Sequence, residues 1–174
     1  WKGQETFIEA LNLVNKELGY DSFNAVILGS DQGRDIYTKK IKRLAEQYRL
    51  TGQLKFIEHC KNMPVAYKIS DIVVSASVEP EAFGRVAVEA QSMEKLIIAS
   101  DIGGSNETIV DKQTGFLFKS GDPESLCKKI VEALQFDESR LKSIGIEGRK
   151  NVIKKFNVEK MCFSTYSEYK KLLN

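Results

Sequence analysis

The chain has no apolar run near the roughly 18 residues that a membrane-spanning helix needs, and no secretory leader pattern. Cysteine is scarce. Cys60, Cys127 and Cys162 are odd in number and lack metal-ligand spacing, so reduced thiols in a cytosolic protein are expected. The single histidine, His59, adjoins Cys60 but has no second ligand at a plausible distance, so neither a metal site nor a nucleophile is expected there. An excess of one charge is also missing. Lys and Arg total 26 against 24 Asp and Glu, and the two signs are interleaved, which gives no reason to expect nucleic acid as a partner. Gly29-Ser30-Asp31-Gln32-Gly33 is not the G-x-G-x-x-G fingerprint and has no acidic partner at the required distance, which argues against a nicotinamide cofactor. No linker-like stretch divides the 174 residues, so one domain is expected.

Helical and strand patterns alternate along the rest. Glu5 to Leu18 sets Phe7, Ile8, Leu11, Val14 and Leu18 on one face, and Tyr37 to Tyr48 sets Tyr37, Ile41, Leu44 and Tyr48 inward. Ala25 to Gly29, Leu54 to Ile57, Ile72 to Ala76, Leu96 to Ala99 and Phe116 to Phe118 read as short buried strands. A short helix is expected over Met63 to Ile69, with Asn62 as its N-cap and Pro64 in its first turn. Further helices are expected from Arg85 to Met93 and from about Ser105. Beyond Pro123 all is helical: Glu124 to Gln135, Glu138 to Phe156 and Val158 to Leu173. Gly145 and Gly148 weaken the middle one and predict a break there. Met161, Phe163, Tyr166 and Tyr169 form a stripe on the last, read first as core packing and otherwise as a contact with further parts of the protein. Apolar strands separated by helices predict an α/β fold, a Rossmann-like parallel sheet covered on both faces and followed by a C-terminal helical extension. Ligands of such sheets bind beyond the carboxyl ends of the strands, where the turns at Gly29, Gly84 and Gly103-Gly104 fall.

The most telling of these turns is Glu79-Pro80-Glu81-Ala82-Phe83-Gly84-Arg85-Val86-Ala87-Val88-Glu89-Ala90. Gly84 allows a tight turn between strand and helix and a close approach of the backbone to a ligand. The first helical N–H groups after it lack intrahelical partners and suit an anion such as a diphosphate. Glu81 and Glu89 flank the turn, where carboxylates would accept hydrogen bonds from sugar hydroxyls. A surface loop with solvated acids is the plainer alternative.

This constellation resembles the Glu-x7-Glu motif of retaining, nucleotide-sugar-dependent glycosyltransferases of the GT-B fold, the large family-4-like group that includes mannosyl-, glucosyl- and sucrose-phosphate-type enzymes. The resemblance covers essentially the whole chain. Lys2-Gly3 resembles the family's Lys-Gly pair, and the arginine that accompanies it would precede Trp1. Phe56-Ile57-Glu58-His59-Cys60 is similar to the strand end that meets the nucleotide base, with Glu58 where the family has glycine. Ala99 to Glu107 and Asp111 to Leu117 resemble the strands and turns that follow the motif helix, although Met93-Glu94-Lys95-Leu96 replaces the usual glycine-proline entry. The run from Asp71 to Asp122 most resembles bacterial members that build lipopolysaccharide core or other surface polysaccharides.

The resemblance implies the donor-binding C-terminal half of a GT-B enzyme, with the N-terminal acceptor domain upstream of Trp1. It implies a nucleotide-diphosphate sugar as donor and a glycan or lipid-linked acceptor, with no metal and no other cofactor required. Lys2 and the amides of Gly84, Arg85 and Val86 would hold the diphosphate, and Lys2 and Glu81 would be the catalytic pair. The Phe83 and Gly84 backbone with Glu81 would hold the transferred sugar, Glu89 the ribose, and the Cys60 backbone the base. A cytoplasmic enzyme is expected, with peripheral attachment to the inner membrane open for the full-length protein. The paired glutamates do not suggest a glycoside hydrolase, which needs no phosphate-type turn. The alternatives are a sugar-nucleotide epimerase of GT-B architecture and a flavodoxin-like or receiver-type regulatory module, for which Asp31 is the nearest candidate acid.

Overall fold

The computed structural model describes residues 1–30 and 33–173, so Asp31 and Gln32 of the first glycine turn lie outside the described residues. Five strands stand where the apolar runs placed them. β1 (Ala25–Leu28) and β2 (Leu54–Ile57) form one parallel ladder. β3 (Ile72–Ser75), β4 (Leu96–Ser100) and β5 (Phe116–Phe118) form a second, with β4 in the middle. No ladder joins the two among the described residues. They share a core all the same: Ala25 and Ile27 of β1, like Ile72 and Val74 of β3, pack against the same cluster of buried residues.

The helices are α1 (Gln4–Leu18), α2 (Asp35–Gln47), α3 (Met63–Ile69), α4 (Arg85–Ser92), α5 (Ser105–Thr108), α6 (Pro123–Leu134), α7 (Glu138–Lys155) and α8 (Val158–Leu173). They cover β4 on both sides, and its alternation shows it. Leu96 and Ile98 join Ile8, Leu11 and Val14 of α1 and Leu126 and Ile130 of α6 in one cluster. Ile97 and Ala99 join Tyr67 of α3 and Ala87 and Ala90 of α4 in the other. All five residues of β4 are buried, as a strand packed on both faces must be. Asp122 and Asp137 start α6 and α7 by accepting the N–H groups of Ser125 and Arg140, each satisfying one orphan donor of a first turn.

Four local expectations are corrected. Asn62 precedes α3, but its side chain makes no cap; its carbonyl accepts the N–H groups of Val65 and Ala66 instead. Leu18 is 38% exposed, because α1 ends there and turns through Gly19 away from the core. α7 runs unbroken through Gly145 and Gly148. Those glycines are buried because α7 presses on the turn after α4: a Cβ on Gly145 would lie 2.1 Å from the Glu94 carbonyl oxygen. The stripe on α8 does not pack on the core. No residue of α8 is buried, and Met161, Phe163, Tyr166 and Tyr169 are each more than 60% exposed. No helix among the described residues is long and apolar enough to cross a membrane.

Candidate functional site

The pocket grows from the carboxyl end of β3. Beyond Ser75 the chain passes Ser77, which is buried, and reaches Gly84, whose φ of 73° and ψ of 59° lie in the left-handed region that favours glycine. α4 begins at Arg85 with no side chain capping it; the Ala87 N–H donates to the Gly84 carbonyl, and the N–H groups ahead of it have no partner within the helix. Two further glycines hold this loop from behind. A Cβ on Gly103 would stand 2.6 Å from the Glu81 carbonyl oxygen, and one on Gly104 would stand 2.5 Å from that of Phe83. The Gly104 N–H donates to the Glu81 carbonyl at 2.7 Å. The glycine pair after β4 therefore fixes the backbone that carries Glu81 and Phe83.

Lys2 arrives by an equally close contact. Gly3, at φ 69°, sits against Ala76 so tightly that a Cβ would fall 1.7 Å from the Ala76 carbonyl oxygen. This places Lys2 Nζ 2.8 Å from Glu81 Oε1 and 4.1 Å from the centre of the Trp1 ring. Ser77 Oγ donates to the same carboxylate oxygen at 2.5 Å. Burial pushes the Glu81 carboxyl up, but the Lys2 and Ser77 hydrogen bonds outweigh it and leave it below its ordinary value. Glu81 is thus a held anion, its side chain 18% exposed, beside a cation.

Glu89 lies one turn into α4, four residues after Arg85. Tyr67 Oη donates to its Oε2 at 2.8 Å, and Arg85 donates to its Oε1 from Nε at 3.2 Å and Nη2 at 2.9 Å. Burial, then the bond to Glu89, pushes the Tyr67 hydroxyl well above its usual range, so it remains a donor.

Lys2, Glu81, Phe83, Gly84, Arg85, Val86 and Glu89 line one open pocket of about 480 Å³, together with Met63, Tyr67 and Ala82. Cys60 is not in its wall; its thiol donates to the Asn62 carbonyl at 3.3 Å in the loop after β2. His59 is exposed in that same loop. Sequence reasoning missed Tyr67 and Ser77. Tyr67 lies within α3 and Ser77 just beyond the end of β3, and only the fold shows that they bond the motif's two carboxylates. A hollow of about 530 Å³ elsewhere is lined by one face of α7, from Glu138 to Glu147, and gathers no converging groups from other elements.

The arrangement alternates donors and acceptors at short range: a cation and open backbone N–H groups for an anion, and two oriented carboxylates for hydroxyls. The family model of glycosyl transferases group 1 matches residues 1–151. A capsular polysaccharide biosynthesis glycosyltransferase, CapM of Staphylococcus aureus, is 36% identical over 101 residues, 58% of this chain and 26% of CapM. The crystal structure of a glycosyltransferase from Rickettsia africae superposes with a TM-score of 0.91 at 33% identity, covering 100% of this chain and 45% of that one. Anabaena Alr3699/HepE in complex with UDP-glucose superposes at 0.89 with 25% identity, covering 98% of this chain and 46% of that one. The matches span from about a quarter to about half of the length of the curated relatives, and 45% and 46% of these two solved chains.

Proposed function

Because the chain belongs to the glycosyl transferases group 1 family, we propose that it is the donor-binding half of a retaining, hexosyl-type enzyme of family-4-like character. The donor is a nucleotide-diphosphate sugar, and the acceptor is lipopolysaccharide core or another surface glycan. One observation carries this reading: the open amides at Gly84 and α4 lie between two fixed glutamates, with Lys2 beside the first. The family match favours a transferase over both the epimerase and the regulatory-module alternatives.

In this reading the diphosphate sits against Lys2 and the amides of Gly84, Arg85 and Val86. Transfer breaks the bond from the sugar's anomeric carbon to the diphosphate oxygen as an acceptor hydroxyl oxygen bonds that carbon; the leaving oxygen gains negative charge and takes up the proton that the hydroxyl loses. Lys2 and the amides stabilise that charge where it grows, so a divalent cation is not needed. Glu81, with the Phe83 and Gly84 backbone, orients the sugar, and Glu89 accepts from the ribose. Cys60 stands outside the pocket wall, and its backbone meets the base from the β2 side. The UDP-glucose bound by HepE supports the donor class, and CapM supports a surface polysaccharide acceptor. The acceptor domain completes the cleft from upstream of Trp1. Trp1 itself is tied to the loop after β3, where the Val78 N–H donates to the Trp1 carbonyl.

Calorimetry with nucleoside diphosphates and monophosphates tests the site. Half a cleft should bind weakly, on the order of 0.1–1 mM, or about 4–6 kcal/mol, with the diphosphate preferred. Equal affinity for the two would refute the anion site. Glu89→Gln should weaken diphosphate and nucleotide sugar alike, by about 1.5–3 kcal/mol for a lost charged hydrogen bond, while Glu81→Gln should weaken the nucleotide sugar alone.

A further inference from the structure

Glu89 is occupied from two sides. Tyr67, only 6% exposed, reaches Oε2 from below. Arg85, its side chain 83% exposed, reaches Oε1 from solvent through two N–H groups. A carboxylate offers about four acceptor sites, and these three bonds fill three of them. A ribose diol that donates twice needs two. The Tyr67 bond is not free to leave, because it would strand a buried hydroxyl. The Arg85 pair is exposed, and such pairs are weakly held. Arg85 is also the first residue of α4, beside the open N–H groups, and a guanidinium matches phosphate oxygens in a two-pronged fork.

We propose that Arg85 is an exchange gate: an arriving diphosphate draws its guanidinium off Glu89, and the vacated Oε1 then accepts the ribose diol. Phosphate and diol binding are thereby coupled through one side chain, and a nucleoside without phosphates meets a blocked acceptor. The inference rests on Glu89 being the ribose acceptor. It assigns the Arg85 side chain a role separate from that of its backbone amide.

The test is a cycle of ligands in NMR titrations. ADP, GDP, UDP and CDP are screened, and the tightest is carried forward with its nucleoside and the dideoxyribose counterpart of each. In the native protein, removal of the diol should weaken the diphosphate about tenfold or more, the size of a lost hydrogen bond to a charged group. The same removal should weaken the plain nucleoside less than about threefold, since there the bond barely forms. In Arg85→Leu, which keeps the amide and alters an exposed side chain, the diol should matter equally to both ligands. Equal diol effects in the native protein would overturn the gate, as would unequal effects that persist in Arg85→Leu. A diol that matters to neither ligand, with the diphosphate still preferred over the monophosphate, would remove Glu89's role and the gate with it while leaving the anion site. No binding of any diphosphate would remove the site itself.

Discussion

Gly145→Ala inverts an expectation that helix propensity alone would give. Alanine in the middle of α7 should stabilise the helix by roughly 0.8–1.0 kcal/mol over glycine. The added methyl, however, would lie 2.1 Å from the carbonyl oxygen of Glu94 and 2.6 Å from its carbonyl carbon. Ordinary contact begins about 1.3 Å farther out, so helix and turn must separate. The turn cannot readily yield. Glu94 already sits at φ 58°, its N–H donates to Gln91, and the next N–H, of Lys95, donates to Ala90. Arg149 ties the same turn to α7, donating to the Ser92 carbonyl and approaching the Glu94 carboxylate at 3.6 Å. Directly after it comes β4, buried throughout. Overpacking costs about 1–3 kcal/mol, and a backbone clash of this depth belongs at or above the top of that range. The net loss should be about 2 kcal/mol, a fall in Tm of about 4–8 °C for a domain of this size. Gly148→Ala is the control. Its methyl meets Gln91 Cγ at 3.0 Å and the Thr114 carbonyl at 3.3 Å, so tenths of an ångström suffice and the change should stay within about 1 kcal/mol. Urea and thermal unfolding of both variants decide the matter. A Gly145→Ala protein as stable as the parent would show that α7 does not depend on this approach.

Three other outcomes are expected. The Glu81 carboxyl titrates below its ordinary 4.5, so its contribution to stability is fully present above that pH and is lost as pH falls through the lowered value. Stability curves of the parent and Glu81→Gln should therefore converge on acidification, and a gap that widens in acid would contradict the assigned pairing. EDTA should leave donor binding unchanged in calorimetry, whereas a strict requirement for magnesium or manganese would refute charge stabilisation by Lys2 and the amides. Thiol labelling should be fast at exposed Cys162 and slow at Cys127, whose thiol is pushed up to about 11 by burial and by Glu17; rapid labelling of Cys127 in the folded protein would show that its burial is misjudged.

All five strands and most helix starts were legible because each apolar run is short and bounded by a glycine or a polar residue, whereas α2 begins at Asp35, two residues before the expected Tyr37. The tight turn at Gly84 was legible for a different reason, since a glycine between an apolar strand and a helix supplies the left-handed conformation found there. What was hidden depends on surfaces meeting in space. Gly145 and Gly148 read as weak points on a helix considered alone, and become close-packing points only once α4 lies across them. Tyr67 sits unmarked in a short helix, and its hydroxyl finds Glu89 only because α3 and α4 share one face of β4. The stripe on α8 was misread for the converse reason. Periodicity shows that a helix has an apolar side without showing that this domain supplies anything to cover it.

The division of the strands into two ladders has a kinetic meaning. β4 is bonded on both sides, whereas β1 and β3 each keep an edge without a ladder partner among the described residues. Amide protons of β4 should therefore exchange only through the largest opening, and those of β1 and β2 through a smaller, separate one. The two glutamates and the open amides belong to the β3–β4 unit, while Cys60 hangs from the end of β2. A ligand reaching from α4 to that loop would clasp two units that no ladder joins among the described residues. Its occupancy should slow exchange in β1 and β2, strands that contribute nothing to the pocket wall.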